Sequence, residues 1–197
     1  MSFLSGLDRH LKLWHVATIN IVTLAWFIGL TLASRIALPG VALFRCPIGF
    51  CAGGYSPEDL YSIFDEIGEE GRAFLYGTLL WADLVLPALL MAALILDIIW
   101  LSRASARLSV PLHPDDRLAM LAVPLLYAIA DYAENSAIAN VLRLYPHIDD
   151  VTAEKTSLLT AAKSQLVAAS IGIVAALATA AWGLSHRSGT QSPPDKT

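Results

Sequence analysis

The chain has 197 residues, 56% hydrophobic and 15% charged, with a formal net charge of −4 and a mean hydropathy of +0.58. A soluble domain carries about 45–50% apolar and about 25% charged residues. This balance excludes a disordered chain, the pI of about 5.6 excludes a nucleic-acid binder by composition, and two cysteines are too few for a disulfide scaffold, so a polytopic membrane protein remains.

A helix needs about 20 apolar residues to cross the hydrocarbon core. Four stretches meet that length: residues 13–33, 74–101, 118–142 and 157–184. They are too continuous for barrel strands, which alternate over about ten residues. The predicted fold class is all-α, a four-transmembrane-helix bundle forming one domain over residues 1–197. A short amphipathic helix is expected in the first loop and a disordered tail over 186–197. The first stretch follows the basic Arg9 and Lys12, as a signal peptide would, but its 21 residues exceed the about 15 of an h-region and favour a retained span.

The first loop, 34–73, holds Cys46 and Cys51, which pair if the loop faces an oxidising space and are otherwise free thiols. Ser56-Pro57-Glu58-Asp59 is a helix start, with Ser at N-cap, Pro at N1 and acids in the first turn. Leu60, Ile63, Phe64 and Ile67 follow at helical spacing and predict an amphipathic helix ending near Gly68. Its other face is acidic between Glu58 and Glu70 and reads as a solvated face or as a partner surface. With both termini in the cytoplasm, seven basic residues lie inside (Arg9, Lys12, Arg103, Arg107, Arg117, Arg187, Lys196) and five outside (Arg35, Arg45, Arg72, Arg143, Lys155). This weak positive-inside bias favours that orientation in a bacterial inner membrane.

Ionisable residues at bilayer depth are costly and normally face a bundle interior. Asp83 lies on the second span, Asp131 and Glu134 with Asn135 on the third, and Lys163 on the fourth. Asp131, Glu134 and Asn135 share one helix face, and Tyr127 lies four residues earlier on the same face. At about 1.5 Å per residue, the carboxylates of two spans and the ammonium of a third fall in the same half of the membrane. Tyr76, Asp83, Leu90 and Asp97 are spaced by sevens and predict one stripe. Asp97, beside Trp100 near a span end, reads as an interface anchor. Arg72 and Tyr76 are expected at the entrance of the site. A structural ion pair, a site for a ligand, proton or cation, and acid–base catalysis on a lipid-borne substrate all fit such a cluster. The histidines are scattered over helix ends and loops, which disfavours a histidine-built metal centre, and no cofactor is indicated. Ala168, Gly172, Ala176 and Ala180 recur every four residues and suit close helix packing, within the bundle or in a homo-oligomer.

The sequence from Gly71-Arg72 to Tyr76, then Asp83 and Pro87, then Asp131-x-x-Glu134-Asn135 and Lys163, resembles a group of small bacterial four-span membrane proteins without an assigned activity. The resemblance covers about 100 residues. It implies the same four-span fold and points to the same polar residues, and it implies no reaction.

Overall fold

The computed structural model describes residues 11–38, 53–107 and 112–189, and the secondary structure there is helical. Cys46 and Cys51, with their expected disulfide, lie outside the described residues.

Helix α1 spans Leu13–Ala37, longer than the apolar stretch that predicts it. Helix α2 spans Pro57–Phe74. Its start follows from local chemistry: Ser56 Oγ accepts from Asp59 N at 3.1 Å, and Asp59 Oδ2 accepts from Ser56 N at 3.0 Å. This reciprocal box satisfies two backbone donors that a helix start leaves orphaned. Gly68 interrupts α2 at φ 65°, ψ −173°, a conformation that costs other residues strain and glycine little. The helix then resumes instead of ending there.

From Phe74 the chain runs on through a π-helical segment, Leu75–Leu79, and a short turn, Leu80–Asp83, into helix α3, Val85–Arg107. The break before α3 has a plain cause. Pro87 lacks an N–H, and its ring crowds the carbonyl four residues back, that of Asp83. Neighbouring helices satisfy the disturbed backbone: Trp26 Nε1 donates to the Ala82 carbonyl at 3.1 Å, and the Tyr132 hydroxyl donates to that of Leu84 at 3.0 Å. Helix α4 spans Pro114–Leu144, and helix α5 spans Asp150–Gly189. Helix α5 therefore starts before its apolar stretch and continues through His186 into the region expected to be disordered.

Asp149 caps α5. Its carboxylate accepts from Thr152 N at 2.9 Å and from Thr152 Oγ1 at 2.7 Å. These bonds hold the Asp149 carboxyl below the usual carboxylate range. A lowered folded-state pKa gives stability that is present above the unfolded value of about 3.9 and is lost as pH falls through the folded one. Asp149→Asn keeps a competent cap that does not titrate. Thermal midpoints measured from neutral pH down to acid are expected to fall less steeply in this variant than in the wild type below pH about 4. Parallel curves would deny the cap its share of acid sensitivity.

Helices α4 and α5 form the tightest pair, α3 packs on both, and α1 packs along α3. Arg103 donates to the Leu11 carbonyl at 3.0 Å, which places the start of α1 beside the end of α3. At the opposite end α2 lies over the α4–α5 turn. Leu60, Phe64, Leu75, Val141, Ile148 and Ala153 form a buried cluster there. Tyr145 joins it edge-on to Phe64, with ring centroids 5.8 Å apart. The Tyr61 hydroxyl donates to the Ile148 carbonyl at 2.6 Å. Just before α2, Gly54 has φ +76° and presses on Ser157, whose Oγ would collide with any added Cβ. That close approach lets Tyr55 N donate to Ser157 Oγ at 2.7 Å.

Among the described residues three helical lengths are long and apolar enough to cross a membrane: Leu13–Ala37, Pro57–Ala106 and Asp150–Gly183. Helix α4 is less apolar by composition, because Asp131, Glu134 and Asn135 interrupt it. Those residues are buried, whereas Leu118, Leu125, Leu126 and Ile129 on the same helix are exposed. In a soluble protein the arrangement would be the reverse.

Candidate functional site

Helices α4 and α5 bring the central residues together. Lys163 Nζ lies 2.9 Å from Asp131 Oδ1 and also pairs with Glu134 Oε2. Glu134 is 0% exposed and Lys163 6%. The remaining valences are filled from the same helices. The Tyr127 hydroxyl donates to Asp131 Oδ2 at 2.7 Å, and the Thr160 hydroxyl donates to Glu134 Oε1. The helical spacing explains the Tyr127 bond, since residues i and i+4 stack on one face. Thr160 and Lys163 are three apart on α5 and address Glu134 together.

Asp83 joins from the broken segment before α3. Its Oδ2 accepts from Asn135 Nδ2 at 3.2 Å. An amide therefore holds this carboxylate, while the ammonium of Lys163 is engaged by the two carboxylates of α4. Asp83 owes its position to the π segment on one side and the Pro87 break on the other. Such irregularities inside helices recur at functional positions.

These residues floor a cavity of about 220 Å³. Asp83, Tyr127, Asp131, Glu134, Asn135, Lys163 and Ser164 line it from below. Its walls are mainly apolar: Phe27 and Leu30 of α1, Ile63 and Ile67 of α2, Leu86 and Leu90 of α3, Ile138 of α4 and Val167 of α5. Thr31 and Ser34 of α1 add hydroxyls to the rim. The Thr31 hydroxyl is occupied by the Phe27 carbonyl at 2.8 Å, and that of Ser34 by the Thr31 carbonyl at 2.9 Å. Ser164 Oγ is buried without a hydrogen-bond partner among the described residues.

Two expected entrance residues lie elsewhere. Arg72 Nη1 donates to the Phe64 carbonyl at 2.6 Å, and its guanidinium sits 4.3 Å from the centre of the Tyr145 ring. The Tyr76 hydroxyl accepts from Arg143 Nε at 2.7 Å. Neither lines the cavity. The physical reason is register: the π segment starts at Leu75, so Tyr76 and Asp83 do not share the straight heptad stripe their spacing predicts. Tyr76 faces the end of α4, Asp83 and Leu90 face the cavity, and Asp97 faces α1. Asp97 Oδ1 accepts from Asn20 Nδ2 at 3.0 Å, so it has a tertiary partner beyond any anchoring role.

Outside the bundle, Tyr145 donates to Asp65 while Arg72 covers its ring. The bond to Asp65 holds the Tyr145 hydroxyl above its usual range. Arg72 and Tyr145 thus fasten α2 to the α4–α5 turn and belong to the cover of the cavity. Sequence reasoning missed Thr160 and Ser164. Helical spacing from Lys163 was the available signal for the first, and a serine within an apolar run carries none for the second.

Among the described residues no group of three or more His, Cys, Asp and Glu side chains is arranged to hold a metal ion. The residues Ala168, Gly172, Ala176 and Ala180 are exposed. Compared with family models, with curated proteins and with solved structures, the chain finds no match.

Proposed function

We propose that this protein is an integral inner-membrane protein with four spans, α1, the length ending in α3, α4 and α5, that binds or moves a small ligand, proton or cation at the buried polar cluster. Both termini lie on the cytoplasmic side, and α2 lies at the opposite face as a lid on the bundle. The apolar outer face of α4 supports counting it as a span, since its polar residues turn inward. The resemblance to small four-span membrane proteins without an assigned activity agrees with this arrangement.

One observation carries the functional reading. The polar residues do not form a solid plug. They floor an apolar-walled cavity, with the Asp83 carboxylate held by an amide. A purely structural ion pair needs no space beside it, because buried charge is best stabilised by close packing and complete hydrogen bonding. The polar residues provide an anionic face, and the cavity provides access to it.

Glu134→Gln tests the reading. It preserves shape and the bond from Thr160 while removing one charge from the set around Lys163. In proteoliposomes carrying the purified protein, proton or cation flux is expected to collapse in this variant if the site lies on a translocation route. Unchanged flux, with a measurable wild-type rate, would remove translocation and leave binding. A second reading, acid–base catalysis on a lipid-borne substrate, draws on the same carboxylates. It expects turnover lost in Asp131→Asn with folding retained.

A further inference from the structure

The cavity has two chemically different parts, and together they describe an occupant. We infer that the site takes a small cationic amphiphile, a molecule with one protonated amine head and a short apolar body, with the head against Asp83. This inference rests on the proposed binding site and names its ligand class.

The head follows from charge complementarity. Asp83, Asp131 and Glu134 are three carboxylates, and Lys163 is the ammonium among them. Lys163 contacts the two carboxylates of α4 and acts on the partly buried Asp83 through space, so one cation serves three carboxylates. Negative charge in excess of its cation is costly away from water. A monocation entering the cavity meets Asp83 in a low-dielectric setting, where a charge-assisted hydrogen bond is strong. Ser164 Oγ, buried without a partner among the described residues and also lining the cavity, offers an acceptor to the same ammonium.

The body follows from the walls. Leu30, Leu79, Leu86, Leu90, Ile138 and Val167 surround the space above the polar floor. A bare metal ion would use none of them. It also prefers six or more oxygen ligands, whereas Lys163 already occupies much of the acidic set. A chain of methylenes fills such a space and gains contact with each wall. The volume of about 220 Å³ lies below the about 300–1,000 Å³ of drug-sized pockets, so the occupant is small, or it is the head and first methylenes of a longer lipid.

The route follows from packing. Helix α1 packs along α3 and meets α4 and α5 only marginally, yet Phe27 and Leu30 of α1 wall the cavity. The seam between α1 and the α4–α5 pair is thus a side opening toward the bilayer. An amphiphile dissolved in the membrane reaches the site through it without crossing the aqueous face under α2.

The test uses the full-length protein in nanodiscs of phosphatidylcholine and phosphatidylglycerol, with octylammonium as probe. Trp26, whose indole bonds to the backbone next to Asp83, reports by fluorescence. Saturable binding is expected, at least about tenfold weaker in Asp83→Asn, and octanol and octanoate are expected to bind at least about tenfold more weakly than octylammonium. Val167→Phe narrows the apolar space without touching the carboxylates. It is expected to abolish octylammonium binding, and wild-type circular dichroism and thermal midpoints in both variants separate loss of the site from loss of fold. Addition of phosphatidylethanolamine separates two sources of the head. Displacement of the probe identifies a lipid headgroup, and its absence identifies a free amine. Equal binding of octanol overturns the cationic head. Binding of methylammonium or sodium ions as tight as that of octylammonium, lost in Asp83→Asn, overturns the amphiphile while leaving an ion site in place. No saturable, Asp83-dependent binding of any of these probes overturns both.

Discussion

Lys163→Met is expected to destabilise the folded protein by about 3–5 kcal/mol, the cost of breaking a buried ion pair by removing one partner. The substitution keeps an unbranched apolar stem, one atom shorter, and removes the charge with its three donors. Asp131 and Glu134, one turn apart on α4, would then face α5 without a cation, both almost completely buried. Bonds from Tyr127 and Thr160 would remain, but a hydroxyl compensates a buried carboxylate less well than an ammonium does. Denaturant titration in mixed micelles measures the loss. The triple variant Lys163→Met, Asp131→Asn, Glu134→Gln removes all three charges together. It is expected to recover most of the stability, because neutralising a whole buried ionic group is often neutral. A single-variant cost below about 1 kcal/mol, as for an exposed pair, would mean that water reaches the triad freely.

Phe64→Ala has the second large effect. Phe64 is 0% exposed and packs with Leu60, Leu75, Val141 and Ile148 at the end of the bundle. This cluster lies beside the exposed α4–α5 turn, so the ordinary cost of removing a buried aromatic side chain, about 3–5 kcal/mol, applies. Most of it is expected to appear as undocking of α2. Tyr145 loses its edge-on partner, and Ile63 and Ile67 leave the cavity wall. Amide hydrogen exchange is expected to rise over α2, while α4 and α5 stay protected as far as Thr160 and Lys163. Uniform acceleration over all helices would show instead that the cluster supports the whole fold.

The two substitutions probe different contributions. Lys163 acts between α4 and α5; with both in lipid, as proposed, no hydrophobic driving force distinguishes a helix neighbour from lipid, and polar contacts and packing hold the pair. Phe64 acts where water competes and burial of apolar surface is the driving force.

Much of the candidate site was legible in the residues. Charges within apolar stretches are so few that Asp83, Asp131, Glu134 and Lys163 stand out, and helical spacing assigns Asp131, Glu134 and Asn135 to one face. A common depth then predicts one level for three helices; in the structure Lys163 of α5 meets Asp131 and Glu134 of α4, and Asp83 meets Asn135 of α4. Arg72 and Tyr76 do not line the cavity, for a definite reason. A straight helix maps sequence spacing onto direction, and the chain between Gly68 and Leu84 is not a straight helix. A glycine at positive φ, a π segment and a proline break each alter the direction in which later side chains point. Pro87 announces the last of these, whereas nothing in the residues Leu75–Leu79 announces the π segment.

Composition and periodicity alone were enough to predict an all-helical chain with helices long and apolar enough to cross a membrane, to start α2 at Ser56 and to single out the acids and lysine within its apolar stretches. These are local properties: hydropathy over one span, a cap over four residues, a face over one or two turns. The partner of each charge, the direction of Asp83 and the existence of the cavity were settled only by the packing of helices far apart in the chain. Lys163 lies 32 residues from the Asp131 it contacts, and Asn135 lies 52 from Asp83. An empty volume beside a charge belongs to no residue. It arises because α1 leans on α3 and leaves its other side unfilled, so it exists only once the helices have docked.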